Sequence, residues 1–241
     1  MAKPFKEWTV LPHGKLTRVD DAILTVVGTL HMPPMGDVER RMTLVRLRDG
    51  RLVVYSAIAL DDAEMGALEA FGAPAYLVVP SDLHRMDVRA WKSRYPAIKV
   101  IAPSAARAKV EEIVPVDATS VDFGDPQVRF VAVPGTGERE AALVVESRGG
   151  TTLVLNDLIF DLANRPGLSG WLFKAIGMTG DAPHIPPVVR FREVKDREAL
   201  RAQLERWARI PTLKRVIISH GGIIASDAAG VLGRIAHDLA A

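Results

Sequence analysis

The stretch Ala75-Tyr76-Leu77-Val78-Val79-Pro80-Ser81-Asp82-Leu83-His84-Arg85-Met86-Asp87 decides how this chain is read. A short apolar run stopped by a proline has the signature of a buried strand. The polar residues after it lead into helical spacing over Val88–Tyr95, and Lys99–Ala102 is the next short strand. Strand, polar loop, helix, strand is the order in which α/β folds place their chemistry.

Upstream of this stretch the pattern predicts hairpins. Ala22–Leu30 is apolar and β-branched, and His31-Met32-Pro33-Pro34-Met35-Gly36 breaks it. Met42–Arg48 alternates arginines with Met42, Leu44, Val45 and Leu47; Asp49-Gly50 is a turn signal, and Leu52–Ser56 is the return strand. Helical spacing from Asp61 to Phe71 takes Asp61 or Asp62 as its N-cap and Gly72 as its stop.

Downstream, Gln127–Val133 and Ala141–Glu146 are strands separated by Pro134-Gly135-Thr136-Gly137-Glu138-Arg139-Glu140. Gly149-Gly150 turns into a strand, Thr152–Leu155, that ends at Asn156-Asp157. Leu162–Pro187, rich in Gly, Pro, Trp and Phe, is too long for a simple connection and reads as a covering insertion. Asp196–Arg209 is an amphipathic helix, Val216–Ser219 a strand ending at His220-Gly221-Gly222, and Asp227–Leu239 a terminal helix. The two halves follow the same logic, which predicts two sheets packed face to face with helices outside. No linker divides them, so residues 1–241 are read as one domain.

Composition narrows the function. The chain has 31 basic and 29 acidic side chains, with the basic ones dispersed, so no phosphate-neutralising footprint stands out. It has no cysteine, which excludes disulfides and thiolate chemistry and restricts a metal site to His, Asp, Glu or water. No apolar stretch is long enough to span a membrane, so a cytoplasmic enzyme or binding protein, with no membrane or nucleic-acid partner, is the expectation.

Three ligand-type residues fall directly after short apolar strands: His84, Asp157 and His220. A strand fixes the backbone while the following loop permits close approach, which aims imidazole and carboxylate groups at one point. Such donors suit zinc, iron or manganese. Each also has a structural reading: the histidines as hydrogen-bonded residues, Asp157 as a cap. Asp82 and Asp87 flank His84 as ligands or as the N-cap of the Val88 helix, a role that suits Asp87 better.

These motifs, in this order, resemble the metallo-β-lactamase superfamily, which implies a four-layer αββα sandwich. The first loop of that superfamily reads His-x-His-x-Asp-His, and Asp82-Leu83-His84-Arg85-Met86-Asp87 stands in its place with a single histidine. The Gly-His of the second motif is Gly135-Thr136 here, the bridging aspartate matches Asp157, and the last histidine matches His220. More closely, the chain resembles a poorly characterised branch of the superfamily with a degenerate metal motif. Its members carry segments matching Arg41–Gly50, Ser56-Ala57-Ile58, Pro80–His84, Trp91, Tyr95-Pro96, Glu140 and Asp157–Phe160. In that branch a second histidine commonly follows the first, where this chain has Arg85.

The resemblance implies one divalent metal on His84, Asp157 and His220, assisted by Asp82 or Glu140, that activates a water for attack on a small ester, amide or phosphoester. Asp157 would ligate or orient that water. Arg85 would bind an anionic substrate group, and Trp171, Phe173 and His184 of the insertion would cover the substrate. The alternative is a non-catalytic protein on the same scaffold that has lost its metal and binds a small ligand or a partner. Nucleic-acid processing also occurs on this fold. The charge distribution argues against it here, and a gel-shift assay at about 50 mM salt, where phosphate contacts are strong, should show no retarded RNA or DNA.

Overall fold

Leu52-Val53-Val54-Tyr55 is apolar at every position, so a strand built from it must be covered on both faces. The computed structural model, which describes residues 4–33, 36–164 and 166–240, meets that demand with four layers. Pro34 and Met35 of the predicted break, and the chain ends of the one-domain reading, lie outside the described residues.

The first half contains β1 (Thr17–Asp20), β2 (Ile23–Met32), β3 (Gly36–Arg46), β4 (Arg51–Tyr55), helix α1 (Asp62–Phe71), β5 (Ala73–Val78), α2 (Val88–Arg94), β6 (Lys99–Ile101) and α3 (Ser104–Glu111). Its six strands form one sheet in sequence order, antiparallel from β1 to β4 and parallel from β4 to β6. The second half contains β7 (Val128–Ala132), β8 (Ala141–Ser147), β9 (Gly150–Val154), β10 (Phe160–Asp161), α4 (Gly167–Ala175), α5 (Pro187–Glu193), α6 (Arg197–Ala208), β11 (Leu213–Ile217), β12 (His220–Gly221), β13 (Ile223–Ile224) and α7 (Ala228–Ala240). Its main sheet has the order β13-β11-β9-β8-β7, and β10 pairs with β12 in parallel beside it.

Side-chain alternation sorts these elements into layers. Leu52 and Val54 pack outward with Met65 and Leu68 of α1, Trp91 of α2 and Val110 of α3. Val53 and Tyr55 face the other sheet, meeting Leu143 and Val145 of β8. Ala142 and Val144 of β8 turn outward to Leu204 and Trp207 of α6 and Leu232 and Ile235 of α7. The result is an αββα sandwich, as expected.

Several local readings are corrected. The β2 strand runs through the predicted break as far as Met32, pairing His31 with Asp37. The β3 strand begins at Gly36 rather than Met42; its leading half is charged, so apolar alternation does not mark it. Strand β1 and helix α3 carry little apolar signal; the buried residues of α3 are Ala106 and Val110. Asp61 caps α1 by accepting from the Glu64 N–H, and Gly72 ends it.

Asp87 stands at the N-cap position of α2 but makes no cap hydrogen bond there. Its carboxylate instead pairs with Arg40 and accepts the Ala59 N–H at 3.1 Å. Burial pushes the Asp87 carboxyl above its usual range, against the pull of Arg40. The pair pins the site loop to β3. Removing one partner strands a buried charge, so Asp87→Ala should cost about 3–5 kcal/mol in urea unfolding. Arg40→Met with Asp87→Leu should recover most of that loss.

Candidate functional site

The three strand-end residues meet. His84 follows β5, Asp157 follows β9 and His220 begins β12 just beyond β11. Strands β9 and β11 are parallel neighbours, so their ends open side by side. Ser219 Oγ donates to Asn156 Oδ1 at 2.9 Å, and Asn156 Nδ2 donates to Ser81 Oγ at 3.2 Å. All three residues are buried, so this chain of hydrogen bonds fixes the three loops relative to one another.

Both imidazoles aim Nε2 at one oxygen. His84 Nε2 lies 2.8 Å from Asp157 Oδ1, and His220 Nε2 lies 3.1 Å from the same atom. Ligand atoms from all three residues fall within 4.8 Å of one another. Behind them, His84 Nδ1 lies 2.7 Å from Ser56 Oγ, and His220 Nδ1 donates to the Glu39 carbonyl at 2.6 Å. Phe160 stacks on the His220 ring at 4.9 Å. Ser56 has φ +57°, a left-handed backbone conformation uncommon for a residue with a side chain. Strain of this kind clusters at functional sites. The Ser56-Ala57-Ile58 motif was visible in the sequence, but its contact with His84 was not.

The donor set fits a divalent ion. A carbonyl only accepts, so His220 Nδ1 carries its proton, and a neutral ring would point an Nε2 lone pair at a carboxylate oxygen. That contact needs a cation between the two atoms, either a proton on the ring or a metal. Two imidazoles whose outer nitrogens are hydrogen-bonded, plus one carboxylate, form a three-ligand set of the zinc type. Burial would raise the Asp157 carboxyl, but His84 and His220 outweigh it and hold it far below the usual carboxylate range. Burial would lower the His220 imidazole, but its bond to Asp157 raises it instead.

The other expected site residues lie outside this group of three. Asp82 accepts from Arg192 on α5 at 3.2 Å. Glu140 is buried behind Asp157, hydrogen-bonded to the Asn156 side chain and the Asp157 backbone; burial, then the charges of Asp157 and Glu193, push its carboxyl well above the usual range. Thr136, where the resemblance to the metallo-β-lactamase superfamily leads one to expect a histidine, is buried and donates to the Val133 carbonyl. Arg85 Nη1 reaches the Lys109 carbonyl at 2.6 Å and Glu112 at 2.9 Å.

A cavity of about 340 Å³ opens over the triad. The insertion lines it with Leu162, Phe173, Ile176 and Met178, and Arg85 also borders it. Trp171 and His184 are not among its lining residues. Trp171 is 63% exposed on α4, and both His184 ring nitrogens lie 3.0 Å from backbone carbonyls, of Ala182 and Gly177.

Comparison with solved structures places the fold. The chain superposes on the metallo-β-lactamase FIM-1 from Pseudomonas aeruginosa, solved in a mono-zinc form, with TM-score 0.62 and 13% identity over 95% of this chain and 96% of that one. VMB-1 gives TM-score 0.63 and 14% identity over 97% and 100% of the two chains. A metallo-β-lactamase from Hirschia baltica gives 0.61 and 13% over 93% and 98%. No protein-family model matches the sequence, and a search of curated proteins finds no significant match. The chain has the metallo-β-lactamase fold. Among the described residues, no helix is long and apolar enough to cross a membrane.

The buried Ser81–Asn156–Ser219 chain should be stringent. Asn156→Ala leaves polar groups without partners, each costing about 1–3 kcal/mol, and should lower stability by at least one such increment in denaturant titration.

Proposed function

We propose that this chain is a metal-dependent hydrolase of a small ester, amide or phosphoester, with a mononuclear centre on His84, Asp157 and His220. The observation that carries this reading is the convergence of His84 Nε2 and His220 Nε2 on Asp157 Oδ1 at 2.8 and 3.1 Å, with ligand atoms of all three residues within 4.8 Å of one another. Zinc, iron and manganese all accept such a donor set. Held there, the ion would lower the pKa of a water from about 16 towards 7.

The protein's own residues do the rest. Ser56 and the Glu39 carbonyl lock the two rings, so neither imidazole has to reorganise when a ligand arrives. Asp157 orients the attacking water through its carboxylate and keeps it facing the cavity. Glu140 lies buried behind Asp157, where burial and the charges of Asp157 and Glu193 push its carboxyl well above the usual range. The apolar wall over the triad lowers the local polarity and so strengthens the charge interactions beside it. Hydrolysis then adds the water's oxygen to the acyl or phosphoryl centre and its proton to the leaving group.

A second reading rests on the direct contacts in the triad. At 2.8 and 3.1 Å, protons alone satisfy the His84–Asp157–His220 cluster. The scaffold would then serve as a small-ligand-binding protein without a metal.

Metal analysis of protein purified without chelator separates the two. The hydrolase reading expects one equivalent of divalent metal, lost in His84→Ala and in His220→Ala, together with chelator-sensitive ester hydrolysis. Ser56→Ala should keep the fold and weaken metal binding about 10–100-fold, as is usual when the group behind a metal-binding histidine is removed. A well-folded protein that takes up no metal under zinc, iron or manganese loading would overturn it.

A further inference from the structure

The wall of the cavity is more informative than the triad about what enters it. Leu30 and Val38, cross-strand partners on β2 and β3, form one side, and Phe173, Met178 and Val189 of the covering segment form the other, with Leu83 beside the triad. On the covering side, Phe160, Leu162, Val189 and Met178 form an apolar cluster of their own. Ser56, His84, Asp157 and His220 form one contiguous polar cluster in the lining. A ligand that fits has a reactive polar head and a long apolar body.

Two of the three arginines in the wall are fully committed to other partners. Arg85 is tied to Lys109 and Glu112, and Arg192 to Asp82 and Glu193. Arg40 pairs with Asp87 through Nη1, while its Nε and Nη2 are buried and unpartnered. Apolar side chains make up most of the remaining wall, so the apolar body of a ligand is the feature it chiefly meets.

We propose that this cavity is an acyl-chain pocket: the substrate is a medium-chain acyl ester or amide, with its carbonyl at the triad and its uncharged chain between Leu30, Val38 and the covering segment. The assignment rests on the hydrolase reading for the carbonyl end only. The length follows from the space, since at about 30 Å³ for a water-sized group a cavity of about 340 Å³ holds roughly ten heavy atoms. Met178 is a soft, adaptable part of the wall and suits a flexible chain.

Straight-chain 1-alkanols from butanol to dodecanol, which cannot be hydrolysed, test the pocket by calorimetric titration of the unmodified protein. Affinity should rise about fourfold per methylene, equivalent to about 0.8 kcal/mol, and level off near ten carbons. Val38→Trp and Leu83→Trp, each checked for native circular dichroism, should move the plateau to shorter chains. 10-Hydroxydecanoate should bind at least tenfold more weakly than 1-decanol. The same titration on His220→Ala should keep the chain-length dependence, so failure of metal binding and failure of the acyl pocket are separately visible. Affinity that ignores chain length, or that keeps rising past twelve carbons, would overturn the assignment. So would 10-hydroxydecanoate matching 1-decanol, which would place an anion site at Arg40.

Discussion

The hydrogen bond from His220 Nδ1 to the Glu39 carbonyl constrains the whole site. It orients one ring and commits Nδ1 as a donor, which leaves Nε2 as the atom that meets the Asp157 carboxylate. Glu39 does this with its backbone, so a side-chain search of the sequence passes over it. Its neighbours complete the work. Arg40 pairs with Asp87 and pins the loop that carries His84. Arg41 donates from Nε to the Ile218 carbonyl at 3.0 Å and from Nη2 to the Gly221 carbonyl at 2.7 Å, holding the segment that carries His220. Three consecutive residues of one strand of the first sheet thus align ligands from both halves of the sandwich.

That strand also shows why part of the fold was hidden in the sequence. The strands β4 and β8 are legible because both faces are apolar and bounded by turns. The leading half of β3, Gly-Asp-Val-Glu-Arg-Arg, looks like a solvated surface, yet Arg40 and Arg41 are buried there. Their partners lie far along the chain, Asp87 at 47 residues and Ile218 at 177. Local pattern cannot reveal a buried ion whose partner is supplied by topology. Helix α3 was missed for the opposite reason: its buried stripe consists of small Ala106 and Val110, too little apolar weight to stand out.

The candidate site divides along the same line. His84, Asp157 and His220 were legible because each ends a short apolar strand, a position that depends on the backbone and not on partners. Asp82, Asp87 and Glu140 look equally eligible as ligands in sequence. Partners in space redirect the first two, Asp82 to Arg192 and Asp87 to Arg40, while Glu140 is buried next to Asp157 with its carboxyl pushed upward. Thr136 takes a histidine's place and closes its own turn through the Val133 carbonyl.

These substitutions form a consistent electrostatic pattern. Isolated charges are expensive in a buried site, so each must be paired, neutralised or matched by a bound ion. Arg40 pairs with Asp87, Arg192 faces Asp82 and Glu193, and burial pushes the Glu140 carboxyl well above its usual range. At the triad itself one carboxylate, held far below its usual pKa range, sits between two imidazoles. A single divalent ion leaves that group with a modest net charge, whereas a second ion would need more acidic or imidazole ligands than the triad supplies. Low residual charge is also the condition under which apolar walls can approach the triad closely. The chain combines a three-residue candidate ligand set with a largely apolar cavity, and the pairing of most of the surrounding charges makes the two compatible.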